Sequence, residues 1–117
     1  MRRPPAQTCV GVGGAGMLPA PFGIEVDDAP DGHVVHLVGE LDLAYASQVR
    51  DALRPLAGSA VVLDLSRLTF VDAAGISAIL AVRRDVLATG HVLRIRGAHG
   101  PVRRVLEVCS LEDVLSD

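Results

Sequence analysis

The chain has 117 residues, half of them hydrophobic and 21% charged, which is enough apolar material for one domain to bury a core without a metal or disulfide staple. Its formal charge is -3, and the basic residues, all arginine, are scattered along the chain. They form no stripe able to neutralise phosphates, so nucleic acid is not an expected partner, and global disorder is excluded by the composition.

Cys9 and Cys109 stand at opposite ends without the spacing of a disulfide framework, which suits a reducing cytoplasm. No stretch approaches the ~20 uninterrupted apolar residues of a membrane-spanning helix, so no membrane role is expected. Residues 1–21 carry Pro4, Pro5, Pro19 and Pro21 with Gly11, Gly13, Gly14 and Gly16, and read as a disordered arm ahead of a folded domain at 22–117. The run Gly11-Val12-Gly13-Gly14-Ala15-Gly16 has the spelling of a dinucleotide-binding loop. Prolines on either side deny it the preceding strand and following helix that such a loop requires. A secretory leader is not expected either, because prolines and glycines interrupt the region after Arg2 and Arg3. The abrupt onset of patterned sequence suggests the hypothesis that Met17 is the native start. An N-terminal mass spectrum showing an intact Met1 or Arg2 would refute it.

From Phe22 the pattern changes. Phe22–Asp27 alternates as a half-buried strand does, and His33–Val38 reads as a second, more fully buried strand; Asp28-Ala29-Pro30-Asp31-Gly32 between them supplies turn residues and predicts an antiparallel hairpin. A helix follows over about Ala44–Leu56, with Val49, Leu53 and Leu56 at helical spacing. Ala60–Leu65 is a continuous apolar run, the mark of a central strand covered on both faces. After a loop, Asp72 stands as an N-cap for a helix reaching Ala88, closed near Gly90. His91–Arg96 is the next strand, and Pro101 opens a final short helix burying Val102, Val105 and Leu106. The order strand, strand, helix, strand, helix, strand, helix predicts a single α/β domain: one mixed sheet of four to five strands with helices packed mainly on one side.

Catalytic signatures are missing. The chain has no lysine, which removes the Walker loop and the Ser-x-x-Lys pair, and it has no G-x-S-x-G elbow. His33 and His36 lie three apart on one strand and face opposite ways, while His91 and His99 flank another strand, so these imidazoles are read as surface or partly buried groups and no metal site is expected. Asp64 and Asp72 read as a strand-end carboxylate and a helix cap, without a nucleophile nearby. No cofactor is expected, and no enzymatic activity.

One set of segments remains: Gly39-Glu40-Leu41-Asp42, Asp64-Leu65-Ser66, Phe70-Val71-Asp72-Ala73-Ala74-Gly75-Ile76, Gly90, and Pro101–Leu106. In order and spacing, from about Phe22 to Leu115, they resemble the STAS domain of anti-sigma factor antagonists. The resemblance implies a non-catalytic module that binds an anti-sigma factor of the serine-kinase type and so frees a sigma factor. It implies also that phosphorylation of a serine at the start of the second helix breaks the capture, because about two negative charges are placed beside Asp72 in a packed interface.

At the implied phosphoacceptor position, directly after Asp72, this chain has Ala73, and Ala74 follows. The expected consequence is a domain fixed in the binding-competent form. Ser66 and Ser77 are the nearest hydroxyls that could substitute. On the second helix Ile76, Ile79, Leu80, Val86 and Leu87 are assigned to the core stripe, with Arg83 at its edge, so Ala74, Ser77, Ala78, Ala81 and Asp85 are expected to face outward. That face is flat and poor in charge, as the centre of an interface is. Glu40, Asp42 and Arg67 are expected at the same end of the sheet as Asp72, as rim contacts. The candidate binding set is therefore Glu40, Asp42, Arg67, Asp72, Ala73, Ala74, Gly75, Ser77, Ala78 and Ala81. A scaffold or small-ligand module with the same fold is the alternative reading, and the expected oligomeric state is monomer or weak dimer.

Overall fold

A hairpin organises the molecule. Strand β1 (Phe22–Ala29) pairs antiparallel with β2 (Gly32–Leu41), in a register running from Phe22 opposite Gly39 to Ala29 opposite Gly32. Both strands are longer than the alternation predicted, because cross-strand hydrogen bonding continues past the last alternating residue. A computed structural model of the chain describes residues 22–109. The arm at 1–21, its glycine motif, Cys9 and the Met17 start all lie outside the described residues, as does the segment 110–117.

Beyond the hairpin come α1 (Leu43–Leu53), a 3-10 turn (Arg54–Leu56), β3 (Ala60–Asp64), β4 (Leu68–Val71), α2 (Ala73–Ala88), β5 (Leu93–Arg96) and α3 (Gly100–Val108). The first helix ends three residues before the expected Leu56. Pro55 has no N–H to donate back to the carbonyl of Asp51, so the α-helical ladder stops and the chain closes in the 3-10 turn, the Ala57 N–H donating to the Arg54 carbonyl at 3.2 Å. The sheet order is β1-β2-β3-β5, with β3 parallel to β2 and β5 parallel to β3. Strand β4 lies where the sequence pattern predicts a loop, and it pairs parallel with β2 beyond the point where β3 stops. The chain thus leaves β2 at Asp64, turns through Leu65–Arg67, and rejoins β2 at Leu68. A register shift at Gly39, whose φ is 98°, absorbs the offset.

The result is a mixed five-stranded sheet with three α-helices. Phe22, Ile24, Val35, Leu37, Leu41, Val61, Leu63, Leu93 and Ile95 all lie on one face of it and are buried against the helices. From the helices, Val49, Leu53, Ile76, Ile79, Val82, Val86, Val102 and Leu106 complete the core. The other face carries Glu25, His36, Asp64, Arg94 and Arg96. Strand β3 is central, as expected, but fully buried on one face only: Val62 and Asp64 are half-buried on the polar side. The run of apolar residues overstated its cover because valine also suits a partly solvated pleat.

Gly75 fixes how α2 meets the sheet. A Cβ there would stand 2.7 Å from Val71 Cγ2 and 2.9 Å from the Leu41 carbonyl oxygen, so only glycine lets the first turn of α2 settle on the ends of β2 and β4.

Candidate functional site

The ends of β2 and β4 lie side by side, with Glu40 opposite Phe70 and Leu41 opposite Val71, and the Asp72 N–H donates to the Leu41 carbonyl at 3.2 Å. Both strands then run directly into helices, so α1 and α2 begin at one place. Asp42 caps α1, its Oδ1 accepting the Ala44 N–H at 3.0 Å. Asp72 caps α2 through Oδ1, which accepts the Gly75 N–H at 2.9 Å, while its Oδ2 accepts the Leu43 N–H from α1 at 3.3 Å. One carboxylate therefore binds the first turns of two helices. Acidic groups suit this position, since the positive ends of both helix dipoles converge on it.

Ala73 is the first residue of α2 and is exposed, with a methyl group where a hydroxyl would be needed for phosphorylation. Ser77 is exposed one turn further along. Ser66 sits elsewhere, in the β3–β4 turn, with its N–H donating to Asp64 Oδ1 at 2.9 Å and its carbonyl 3.0 Å from His99 Nε2. Arg67 is held at this end of the sheet by a hydrogen bond from the Gly39 N–H to its carbonyl. Its guanidinium reaches back across the polar face to Glu25 Oε1 at 2.8 Å, so its charge is shared with β1.

The outward face of α2 differs from the expected one. Ala78 is fully buried and Gly75 is buried too, whereas Leu80 and Leu87, expected in the core, are 38% and 48% exposed. Val82 takes the core position instead. The helix is rotated by the seating of Gly75 on Leu41 and Val71, which turns the small residues Gly75 and Ala78 inward where the helix approaches its neighbours. Ala74 and Ala81 are half-buried. Two apolar residues that sequence reasoning did not single out stand beside the caps: Leu43, 76% exposed, and Phe70, 45% exposed. Leu43 follows the capping Asp42 directly, and a leucine at the first helical position, before any turn can bury it, was the available signal.

The polar sheet face carries a second group. His36 lies between two carboxylates, with Nε2 3.2 Å from Asp27 Oδ2 and Nδ1 3.3 Å from Asp64 Oδ2. Arg96 approaches the same Asp64 oxygen at 3.3 Å. Burial alone would raise the Asp64 pKa. The Ser66 N–H and hydroxyl, His36 and Arg96 outweigh it and hold the carboxyl below its ordinary value of 3.8. Among the described residues, no group of three His, Cys, Asp or Glu side chains could hold a metal ion.

Comparison with known proteins adds the family. A family model described as "Mlab, STAS domain" matches residues 24–116. The unphosphorylated form of SpoIIAA, a Bacillus anti-sigma factor antagonist, aligns with a TM-score of 0.71 at 23% identity, over 82% of this chain and 86% of that one. An anti-sigma factor antagonist from Mycobacterium paratuberculosis gives 0.70 at 23% identity, over 80% and 82%. A sulfate transporter family protein from Wolinella succinogenes gives 0.61 at 16% identity, over 70% and 73%.

Proposed function

The chain belongs to the STAS domain family, and from that premise we propose that it is a non-catalytic binding module that captures an anti-sigma factor of the serine-kinase type and thereby releases a sigma factor. The observation that carries this reading is the surface where α1 and α2 begin together. Exposed Leu43, Ala73 and Ser77 form a weakly charged centre there, Asp42 and Asp72 edge it with negative charge, and Glu40 and Phe70 stand at the same strand ends on the other face of the sheet. An apolar centre with a polar rim is the anatomy of a protein interface. The fold shared with SpoIIAA supports the reading. In this chain Arg67 contributes through its position beside Gly39, and Ala74 and Ala81 line the flank. Gly75 and Ala78, being buried, shape the surface from beneath.

Ala73 makes capture independent of phosphorylation at that position, so binding is constitutive and set by the amounts of chain and partner. The protein acts in the cytoplasm on this reading; no helix among the described residues is long and apolar enough to cross a membrane. The test is affinity capture from native lysate with wild type and Ala73→Asp. An aspartate in the first turn of a helix is favoured by the dipole, so the variant folds, and any loss of capture reports charge placed in the interface. A kinase-like anti-sigma factor recovered by wild type and lost with Ala73→Asp is the expected result.

The likeness to a transporter-family protein favours a second reading, a scaffold or small-ligand module within a larger assembly. Recovery of the same non-regulatory proteins by both baits would establish it in place of the first.

A further inference from the structure

On the face of the sheet turned away from the helices, the strand register sets side chains in rows. One row runs Glu25, His36, Asp64, Arg96 from β1 to β5, and the next runs Asp27, Val34, Val62, Arg94. Each begins with a carboxylate on one edge strand and ends with a guanidinium on the other. In the second row the middle is apolar, with Val34 and Val62 half-buried and Arg94 exposed. The edges are three strand spacings apart, about 14 Å, too far for Asp27 to pair with Arg94 of its own chain or Glu25 with Arg96. We propose that two copies of this chain associate face to face through this side of the sheet, about a two-fold axis that runs parallel to the strands between β2 and β3.

A half-turn about that axis exchanges the β1 and β5 edges and keeps each row at its own level. Asp27 of one copy then faces Arg94 of the other, Glu25 faces Arg96, His36 faces Asp64 and Val34 faces Val62. Every contact occurs twice, as an isologous pair requires. With the axis laid across the strands instead, β1 would meet β1 and β5 would meet β5, carboxylate against carboxylate and guanidinium against guanidinium, so charge selects the first arrangement. Aligned sheets pack about 10 Å apart, a gap that arginine side chains span at the edges while the facing valines fill the centre. Within one chain Glu25 keeps Arg67, Asp27 keeps His36 and Asp64 keeps Arg96, and the second copy joins these pairs without breaking them. Only four strands make up this surface, less than a standard interface buries, and the dimer is accordingly reversible.

The surface where α1 and α2 begin lies on the helical side, so the dimer leaves it open on both copies. Resting on the binding reading above, this makes the dimer bivalent, with tighter capture of any partner that is itself paired.

Sedimentation velocity on the purified full chain, from about 5 to 500 µM, reads the association without any partner, so its failure and the failure of lysate capture are separate results. A monomer–dimer equilibrium that salt weakens is expected. Arg94→Glu opposes two carboxylates and Asp27→Arg opposes two guanidiniums, and each alone should raise the dimer dissociation constant at least about tenfold. In an equimolar mixture of the two variants the facing charges are again opposite at both ends, and pairing should return to within about threefold of wild type. Circular dichroism and melting establish that each variant is folded. Asp27→Arg also takes a carboxylate from His36; should it fail to fold, Arg94→Ala, which removes only an exposed side chain, should still weaken the dimer at least about threefold. Ser77→Asp, on the helical side, should leave the dimer unchanged. A monomer throughout the range, a dimer indifferent to Arg94→Glu or Arg94→Ala, a mixture of folded variants no better than its components, or a dimer broken by Ser77→Asp would each overturn the proposal.

Discussion

Removing the Asp72 carboxylate tests whether one side chain holds two helices. Asp72→Ala takes the cap from the Gly75 N–H and the acceptor from the Leu43 N–H together. Loss of an N-cap costs about 1 kcal/mol. The second hydrogen bond is longer and more exposed, and adds about 0.5 kcal/mol. A loss near 1.5 kcal/mol in a domain of this size lowers Tm by roughly 6–12 °C. Urea denaturation followed by far-UV circular dichroism measures the free energy directly. Asp72→Asn keeps one oxygen for Gly75 but presents an NH2 group to the Leu43 N–H, so about a third of the loss remains. Amide exchange supplies the distinguishing signature: the Leu43 amide, on another helix, should lose protection with that of Gly75. A variant within about 0.3 kcal/mol of wild type, or unchanged exchange at Leu43, would refute the shared cap.

Two further predictions concern the polar face and the outer face of α2. The folded-state pKa of Asp64 is lowered, so its ionised form stabilises the fold above the unfolded value of 3.8, and that contribution is lost as pH falls through the folded value. Asp64→Asn should therefore be less stable than wild type in urea at pH 7, with the gap closing below about pH 3.8. At the neighbouring positions 77 and 78 the same new charge should have opposite outcomes. Ser77→Asp places it in water and should stay within about 0.5 kcal/mol of wild type. Ala78→Asp buries it without a partner and should cost more than about 3 kcal/mol, seen as insolubility or loss of a cooperative melt.

The parts of this fold that were legible in the sequence are those fixed by local chemistry. Alternation and the Pro30-Asp31-Gly32 turn specify the hairpin without reference to anything distant, and Asp42 and Asp72 lie where helix caps belong. Strand β4 was not legible because four residues make a strand only by pairing, and its partner is the far end of β2 past the register shift at Gly39. The helical wheel of α2 failed at Leu80 and Ala78 for a related reason. Hydropathy ranks leucine over alanine for the core, but the rotation of the helix is set by where Gly75 lands on Leu41 and Val71, a contact between distant segments. The carboxylates flanking His36 are likewise a product of register, since His36 lies opposite Asp64 only once β2 and β3 are aligned.

The candidate site shows how the two kinds of information combine. Two acidic caps thirty residues apart can be read separately from the chain, and neither alone suggests a surface. Parallel pairing of β4 with β2 makes both strands end at one level of the sheet, so both helices must start there and their caps become neighbours. Among the described residues no element lies over Leu43, at the first position of α1, or over Phe70 on β4, and both are exposed. The same geometry puts Ala73 beside the shared carboxylate of Asp72. Charge added at residue 73 therefore enters a place already negative: the helix terminus tolerates it, but an acidic group brought by a partner would be repelled and an apolar one would strip water from the new carboxylate.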